Sequence, residues 1–86
     1  MVTIELFGVP RLKARTGRVE VEAATLADAL HGLGRACPAL LGAFDAGGRI
    51  HPAYRLSLNG DRFVTEPDTP LTEGDVLLLL SADVGG

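Results

Sequence analysis

Residues 76–80 read VLLLL, which is the longest run of aliphatic side chains in the sequence. An unbroken apolar run of this length predicts either an interior strand of a sheet or a strand whose outer face meets a partner. The run is far shorter than the roughly 20 apolar residues that a membrane-spanning helix needs. We therefore expect the fold to be organised around this strand, and we expect no membrane span.

The first quarter of the chain predicts two more strands. Residues 2–6 (VTIEL) place apolar side chains at every second position, which is the spacing of a strand with one apolar face. Residues 18–22 (RVEVE) repeat this spacing with charged residues between the valines. Residues 8–17 contain a glycine and a proline that interrupt the first strand, so an open hairpin loop is expected between the two strands.

A helix is predicted to follow the second strand. Thr25 suits the N-cap position, and Asp28 suits the first turn and the positive end of the helix dipole. Pro38 is expected to end the helix at or before Cys37. The apolar positions then form one helical stripe, consisting of Leu26, Leu30, Leu33 and Cys37.

The second half of the chain predicts a hairpin and the final strand. In residues 56–64 (LSLNGDRFV), Asn59 and Gly60 both tolerate positive φ and predict a tight turn. The predicted order is strand, strand, helix, strand pair, strand. A mixed sheet with one main helix packed on one face satisfies this order, and the fold class is therefore α+β. In that arrangement the last strand can lie beside the first, in the middle of the sheet.

Composition excludes several classes of function. The 86 residues predict one domain, and a net charge of −3 argues against a general nucleic-acid-binding protein. A single cysteine allows no disulfide framework and no CxxC metal pair. Neither GxxxxGK[ST] nor GxGxxG occurs, so no nucleotide-binding loop is expected. The chain shows no signal-peptide pattern, and we expect a cytoplasmic location.

One basic segment departs from this acidic balance. Residues 11–18 (RLKARTGR) contain four cations and no acid, namely Arg11, Lys13, Arg15 and Arg18. A solvated hairpin loop is favoured over a phosphate-binding or partner-binding patch. The sequence leaves open the role of this segment and that of the loop Asp45–Tyr54.

Five segments, taken in order, resemble the ubiquitin-like sulfur carriers of the MoaD/ThiS family, which includes the small subunit of molybdopterin synthase and the thiamine sulfur carrier. The segments are TIELFG (3–8), TLADALHGLGRACPAL (25–40), LSLNGDRF (56–63), DTPLTEGDVLLL (68–79) and VGG (84–86). The resemblance covers nearly the whole chain. It implies a β-grasp (ubiquitin-like) fold, with a domain over residues 1–80 and a flexible tail over residues 81–86 that ends in Gly-Gly.

The resemblance also implies the chemistry. Gly86, preceded by Gly85, is the reactive residue, since its terminal carboxylate is adenylated and then converted to a thiocarboxylate that donates sulfur. The implied partners are an adenylyltransferase of the ubiquitin-activating type (MoeB/ThiF-like), a sulfur donor such as a cysteine desulfurase or rhodanese, and an acceptor such as the molybdopterin synthase large subunit. The chain binds no cofactor itself, because the activating partner uses ATP, and it is not an enzyme by itself.

Several functions stay open at this point. Molybdopterin (molybdenum cofactor) biosynthesis is favoured, with the chain as the synthase small subunit. Thiamine, cysteine or tRNA thiolation and ubiquitin-like protein modification use the same activated glycine. A β-grasp interaction module, in which the glycine tail is incidental, is the alternative from a different class.

The residues around the base of the tail are the candidate partner-binding positions. They are Phe7, Leu80, Ser81, Ala82, Asp83 and Val84, with Phe63 less favoured. Phe7 and Leu80 fit an exposed docking patch and the core about equally well. Cys37 is expected to be a buried, inert thiol, and His31 and His51 are expected at the surface, so no metal site is predicted.

Overall fold

The computed structural model describes residues 1–82 and contains five strands, two α-helices and one 3-10 helix in that range. The strands are β1 (Val2–Leu6), β2 (Arg18–Val21), β3 (Tyr54–Leu58), β4 (Arg62–Phe63) and β5 (Val76–Ser81). The helices are α1 (Val9–Ala14), α2 (Leu26–Ala36) and the 3-10 helix Pro38–Ala43. The predicted strands and the main helix are all present in the predicted order.

Strand β5 lies in the middle of a five-stranded mixed sheet of order β2-β1-β5-β3-β4. It runs parallel to β1, with Leu77 opposite Ile4, and antiparallel to β3, with Leu79 opposite Leu56. The VLLLL segment is therefore an interior strand beside the first strand, as its unbroken apolar run predicts.

The core lies between one face of the sheet and α2. Alternation along β5 directs Leu77 and Leu79 to this face, where both side chains are fully buried. Thr25 caps α2, since its hydroxyl accepts a hydrogen bond from the Asp28 N–H at 3.2 Å. The other fully buried large aliphatic side chains are Val2, Ile4, Leu6, Leu26, Leu30, Leu33, Leu40 and Leu56. The structure thus confirms a mixed sheet with the main helix on one face.

Two glycines of α2 allow the helix to pack closely on its neighbours. A methyl group at Gly32 would lie 3.1 Å from the Val21 side chain, and one at Gly34 would lie 2.7 Å from Leu41 and 2.8 Å from Phe44. Each glycine lowers the intrinsic stability of a helix by roughly 1 kcal/mol relative to alanine. The close packing on β2 and on the chain around the 3-10 helix offsets that loss.

Residues 8–17 do not form the open hairpin loop that their glycine and proline predict. They form α1, which is followed by a left-handed turn at Arg15, where φ is 61°. Pro10 lies in the first turn of α1, where the backbone N–H that proline lacks would have no helical partner. The predicted loop conformation of the basic segment is therefore wrong, because Arg11 and Lys13 lie on a helix, although their side chains are exposed to solvent as predicted.

The predicted hairpin at residues 56–64 is confirmed. Asn59 and Gly60 adopt positive φ angles of 56° and 67° and connect β3 to β4. The Asn59 side chain also reaches the next strand, since its Oδ1 accepts a hydrogen bond from the Val76 N–H at 2.8 Å. The turn therefore fixes the beginning of β5 as well as the hairpin.

Candidate functional site

The chain leaves the sheet at the end of β5. Ser81 is the last residue of the strand, lies opposite Tyr54 and is buried. The next residue is also held, because the Ala82 N–H donates a hydrogen bond to the Ala53 carbonyl at 2.8 Å. Ser81 and Ala82, which the sequence assigned to the tail, are thus attached to β3 and to Ala53, the residue before it. The other tail residues, Asp83, Val84, Gly85 and Gly86, lie outside the described residues.

The second face of β5 is also apolar. Val76, Leu78 and Leu80 alternate with the core residues and point away from α2, and all three are half-buried. Leu78 therefore does not belong to the core. The unbroken leucine run hides this alternation in the sequence, because both faces of the strand carry the same side chain.

Phe7 extends this apolar surface at the end of β1. Its N–H donates a hydrogen bond to the Leu79 carbonyl at 2.9 Å, which continues the parallel pairing and places Phe7 beside Leu80. The Phe7 side chain is 45% exposed. Neither Phe7 nor Leu80 lies in the core, so the core alternative is excluded for both, and their partner-binding role stays a prediction.

Phe63 lies on the same face, on the edge strand β4. The pairing register aligns Phe63 with Ser57, and Ser57 with Leu78. Phe63 is 66% exposed, which is more than Phe7. The sequence ranked Phe63 below Phe7, but the structure places both in one surface. We call this surface the docking face and define it by Phe7, Phe63, Val76, Leu78 and Leu80.

Charged residues lie beside the docking face and within it. On the β2 side, Arg18 and Glu20 form an exposed ion pair at 3.2 Å. Within the face, Arg55 on β3 lies opposite Leu80, between β5 and the edge strand that carries Phe63, and is exposed. Surfaces that bind other proteins combine apolar side chains with polar groups and are enriched in aromatic residues and arginine.

A shallow groove adjoins the point where the chain leaves the sheet. It has a volume of about 420 Å³ and is lined by Val9, Ala53, Tyr54, Ser81 and Ala82. The groove therefore brings the first residue of α1 next to the last described residues of the chain. Sequence reasoning missed this role of α1, although a proline two residues after Gly8 is a usual start of a helix.

The other residues considered for a chemical role, Cys37, His31 and His51, form hydrogen bonds with the backbone. Cys37 is only half-buried, which corrects its predicted burial, and it ends α2 with its N–H bonded to the Leu33 carbonyl at 2.7 Å. His31 Nε2 lies 2.9 Å from the Ala46 carbonyl oxygen, and His51 Nδ1 accepts a hydrogen bond from the Ala53 N–H.

Residues 1–82 contain neither a cluster of metal-ligating side chains nor a helix that could span a membrane. Within this range no three histidine, cysteine or acidic side chains come together as metal ligands would. Across the same range no helix has the length and apolar composition needed to cross a membrane.

Solved structures share this fold over the whole chain. SAMP1 from Haloferax volcanii, which a second structure describes as small archaeal modifier protein 1, is 29% identical, with a TM-score of 0.80 over 99% of this chain and 98% of that chain. A chain of the BexX/CysO complex of Amycolatopsis orientalis is 20% identical, with a TM-score of 0.83 and full coverage of both chains. A chain of the complex of subunits 1 and 2 of molybdopterin-converting factor from Helicobacter pylori 26695 is 24% identical, with a TM-score of 0.66 over 99% of this chain and 97% of that chain.

No protein-family model matches the chain, and no curated protein matches its sequence. The assignment therefore rests on the structural matches, on the five ordered segments of the sequence, and on the central position of β5. These observations agree with one another: the chain has the β-grasp fold, and its structural neighbours are ubiquitin-like carriers and modifiers, consistent with its resemblance to the MoaD/ThiS family.

Proposed function

We propose that this chain is a sulfur carrier whose Gly86 carboxylate is adenylated and then converted to a thiocarboxylate, and that it serves as the small subunit of molybdopterin synthase. The main supporting observation is the position of the docking face, which lies on the strand that leads directly to the glycines. A partner that covers Leu80 and Phe7 is thereby placed next to the point where the chain leaves the sheet. The proposal requires Gly86 to be the carboxyl terminus of the mature protein.

The proposed chemistry explains why a second protein is needed. A terminal carboxyl group has a pKa of about 3.3–3.7 and is ionised at pH 7, so its carbon is a poor electrophile. Attack of a carboxylate oxygen on the α-phosphorus of ATP releases pyrophosphate and forms an acyl-adenylate. Sulfide then attacks the acyl carbon, AMP leaves with the C–O bond electrons, and the C–S bond of the thiocarboxylate remains. If a protein persulfide is the nucleophile, the product is an acyl disulfide, which a second thiol cleaves to the same thiocarboxylate.

The point at which the chain leaves the sheet limits the proposed reach of this carboxylate. Ser81 pairs with β3 and Ala82 is bonded to Ala53, so only residues 83–86 follow the last attached residue. Four fully extended residues span at most about 13–14 Å. That is shorter than the roughly 20 Å of a six-residue free tail, so the partner's reactive centre has to lie close to the docking face.

The proposed partners follow from these steps. The ATP site belongs to an adenylyltransferase of the ubiquitin-activating type, and the sulfur comes from a cysteine desulfurase or rhodanese. The acceptor is the large subunit of molybdopterin synthase, and the matching chain in the two-subunit molybdopterin-converting factor supports this choice. The match to a chain of the BexX/CysO complex keeps a carrier for another thiolation pathway as an alternative.

A second candidate function is protein modification. The similarity to SAMP1, whose printed name is small archaeal modifier protein 1, favours this alternative specifically. The activated Gly86 would then react with a lysine amine rather than with sulfur, and an isopeptide bond would replace the acyl-adenylate. A β-grasp interaction module that does not use its glycines is the third candidate.

Intact-mass measurement separates these three functions. The protein is incubated with ATP, a sulfur donor and an extract that is shown to thiocarboxylate another carrier. A sulfur carrier gains the mass of one sulfur replacing one oxygen at Gly86, and a variant that lacks Gly86 gains none. A ladder of larger conjugates would identify a modifier. An unchanged mass in the same active extract would contradict both and support the interaction module.

A further inference from the structure

We propose that α1 is a second docking element, and that it binds an acidic-rimmed apolar recess on the adenylyltransferase that activates the tail. This inference rests on the proposed function, because it assigns one more contact to the same partner. The proposed contact consists of Leu12 at its centre and the cations Arg11, Lys13 and Arg15 around it.

Leu12 has the exposure expected of an interface residue. Its side chain is 78% exposed, which is the largest value among the exposed large hydrophobic residues of the described chain. Val9, one helical turn earlier on the same side, is 43% exposed. The buried residue of α1 is Pro10. The helix therefore presents leucine and valine to solvent, where they gain nothing from folding and are available to a partner.

The charge around Leu12 indicates the chemistry of that partner. Arg11, Lys13 and Arg15 are all exposed, and none of them takes part in an ion pair within residues 1–82. The whole chain carries a net charge of −3, so this cationic cluster runs against the overall balance. Unpaired cations around an apolar residue complement an acidic rim around an apolar recess, and such complementarity directs association between proteins.

The surface is held in place before any partner binds. The Leu6 N–H donates a hydrogen bond to the Gly17 carbonyl at 2.9 Å, and the Arg15 N–H donates one to the Arg11 carbonyl at 2.9 Å. The Arg11 guanidinium lies against Gly17, where a methyl group would come within 3.2 Å of its Cζ. A preformed surface costs less conformational entropy when it binds.

The position of α1 connects it to the tail and to the docking face. Val9 lines the groove that also contains Ser81 and Ala82. Phe7, which belongs to the docking face, precedes α1 by two residues. An enzyme that covers the docking face and receives the four-residue extension is therefore brought next to α1. The net negative charge and the central leucine argue against a polyanion such as RNA as the occupant.

The test uses the purified adenylyltransferase of the source organism and measures the rate of ATP-dependent adenylation against carrier concentration. For Leu12→Ser and for the double variant Arg11→Glu/Arg15→Glu we expect KM to rise roughly tenfold with kcat unchanged, because docking and not chemistry is weakened. Raising the ionic strength should raise KM for the wild type and not for the double variant, since the attraction is screened by salt.

Matched controls separate local charge from total charge. Arg35→Glu/Arg62→Glu changes the net charge by the same amount at two exposed positions away from α1 and should leave KM unchanged. Arg11→Lys/Arg15→Lys keeps the charge and should retain most of the wild-type affinity. Thermal unfolding of each variant shows whether the fold is preserved.

The outcomes are distinguishable. If the wild type is adenylated and the α1 variants have its KM, this inference is wrong while the proposed function stands. A third outcome is that the wild type binds total tRNA or vesicles of anionic phospholipid, that Arg11→Glu/Arg15→Glu does not, and that the two proteins have the same KM. The cluster would then bind one of those ligands, and the inference would again be wrong. If the wild type is not adenylated in a preparation that activates another carrier, the proposed function fails first and this inference fails with it.

Discussion

The side-chain amide of Asn59 donates a hydrogen bond to Asp75 Oδ1 at 3.0 Å and thereby joins the β3-β4 turn to the turn before β5. The Asn59 Oδ1 accepts the Val76 N–H, and Asp75 Oδ2 accepts the Thr72 N–H at 2.9 Å. Side-chain hydrogen bonds thus connect two turns that are separated in sequence, at the point where the central strand begins. This relationship supports the register of the strand on which the proposed function depends.

Removing the Asn59 side chain should weaken the domain. We expect Asn59→Gly to lower the free energy of unfolding by about 1–2 kcal/mol, because the amide contacts are lost while positive φ remains allowed. Asn59→Ala should lose about 1 kcal/mol more, since alanine resists the left-handed conformation. Urea denaturation followed by circular dichroism provides the comparison. Equal stability of Asn59→Gly and the wild type would show that these hydrogen bonds contribute nothing.

Acid should reduce the stability through Asp75. The hydrogen bond from the Thr72 backbone N–H, followed by that from Asn59, lowers the pKa of Asp75 below its ordinary value of 3.8. In the unfolded chain Asp75 therefore binds a proton at a higher pH than in the folded chain. The ionised Asp75 side chain stabilises the fold above pH 3.8, and this stabilisation is lost as the pH falls through the pKa of the folded state. The unfolding free energy should fall less steeply with acid for Asp75→Asn than for the wild type. Parallel pH profiles for the two proteins would rule out this assignment.

The two faces of β5 should respond differently to truncation. Leu79 is 0% exposed and packs in the core, so we expect Leu79→Ala to cost about 2–5 kcal/mol of unfolding free energy. Leu78 is half-buried on the docking face, and we expect Leu78→Ala to cost only about 1 kcal/mol. Leu78→Ala should instead raise the KM for the activating enzyme. A larger stability loss at Leu78 than at Leu79 would reverse our assignment of the faces.

How far the sequence predicts this fold depends on whether the signal is local. The turn at Asn59-Gly60 and the cap at Thr25 are decided by a few neighbouring residues, and the structure confirms both. The faces of β5 are not readable from the leucine run, because alternation can be recognised only where the side chains differ. Pro10 interrupts a strand and starts a helix with the same restricted φ, so its presence alone did not reveal α1.

The candidate site, too, could be predicted from the sequence only in part, because much of it depends on contacts between distant residues. Phe7 and Leu80 were identified as partner-binding candidates, but their exposure depends on which residues lie across the sheet. Phe63 was ranked lower because the register that aligns it with Leu78 through Ser57 is a tertiary property. The attachment of Ala82 to Ala53 likewise depends on a contact between distant parts of the chain.

Blocking Gly86 should abolish sulfur transfer without affecting the fold. One extra residue after Gly86 moves the reactive carboxylate, and we expect no thiocarboxylate to form while the melting temperature stays unchanged. Intact mass and differential scanning calorimetry on the same sample test both parts. Sulfur transfer with the extra residue still attached would contradict the carrier function.

Lys13→Arg should show whether copies of this chain are conjugated to one another. Lys13 is the single lysine of the sequence, and arginine keeps its charge on α1. We expect thiocarboxylate formation to be unchanged, because no amine takes part in sulfur transfer. A ladder in which copies of this chain are joined to each other, and which disappears in Lys13→Arg, would instead establish self-conjugation.

The parallel pairing of β1 with β5 has a consequence for biosynthesis. The first strand to leave the ribosome finds its central partner only when β5, the last of the described strands, has emerged, so the sheet cannot close during earlier stages of translation. A nascent chain that stops before residue 76 lacks both the middle of the sheet and three of the five residues that define the docking face. Under the proposed function, an activating enzyme that binds the docking face would therefore recognise only chains that have been translated through β5, and the topology itself would exclude incomplete chains from activation.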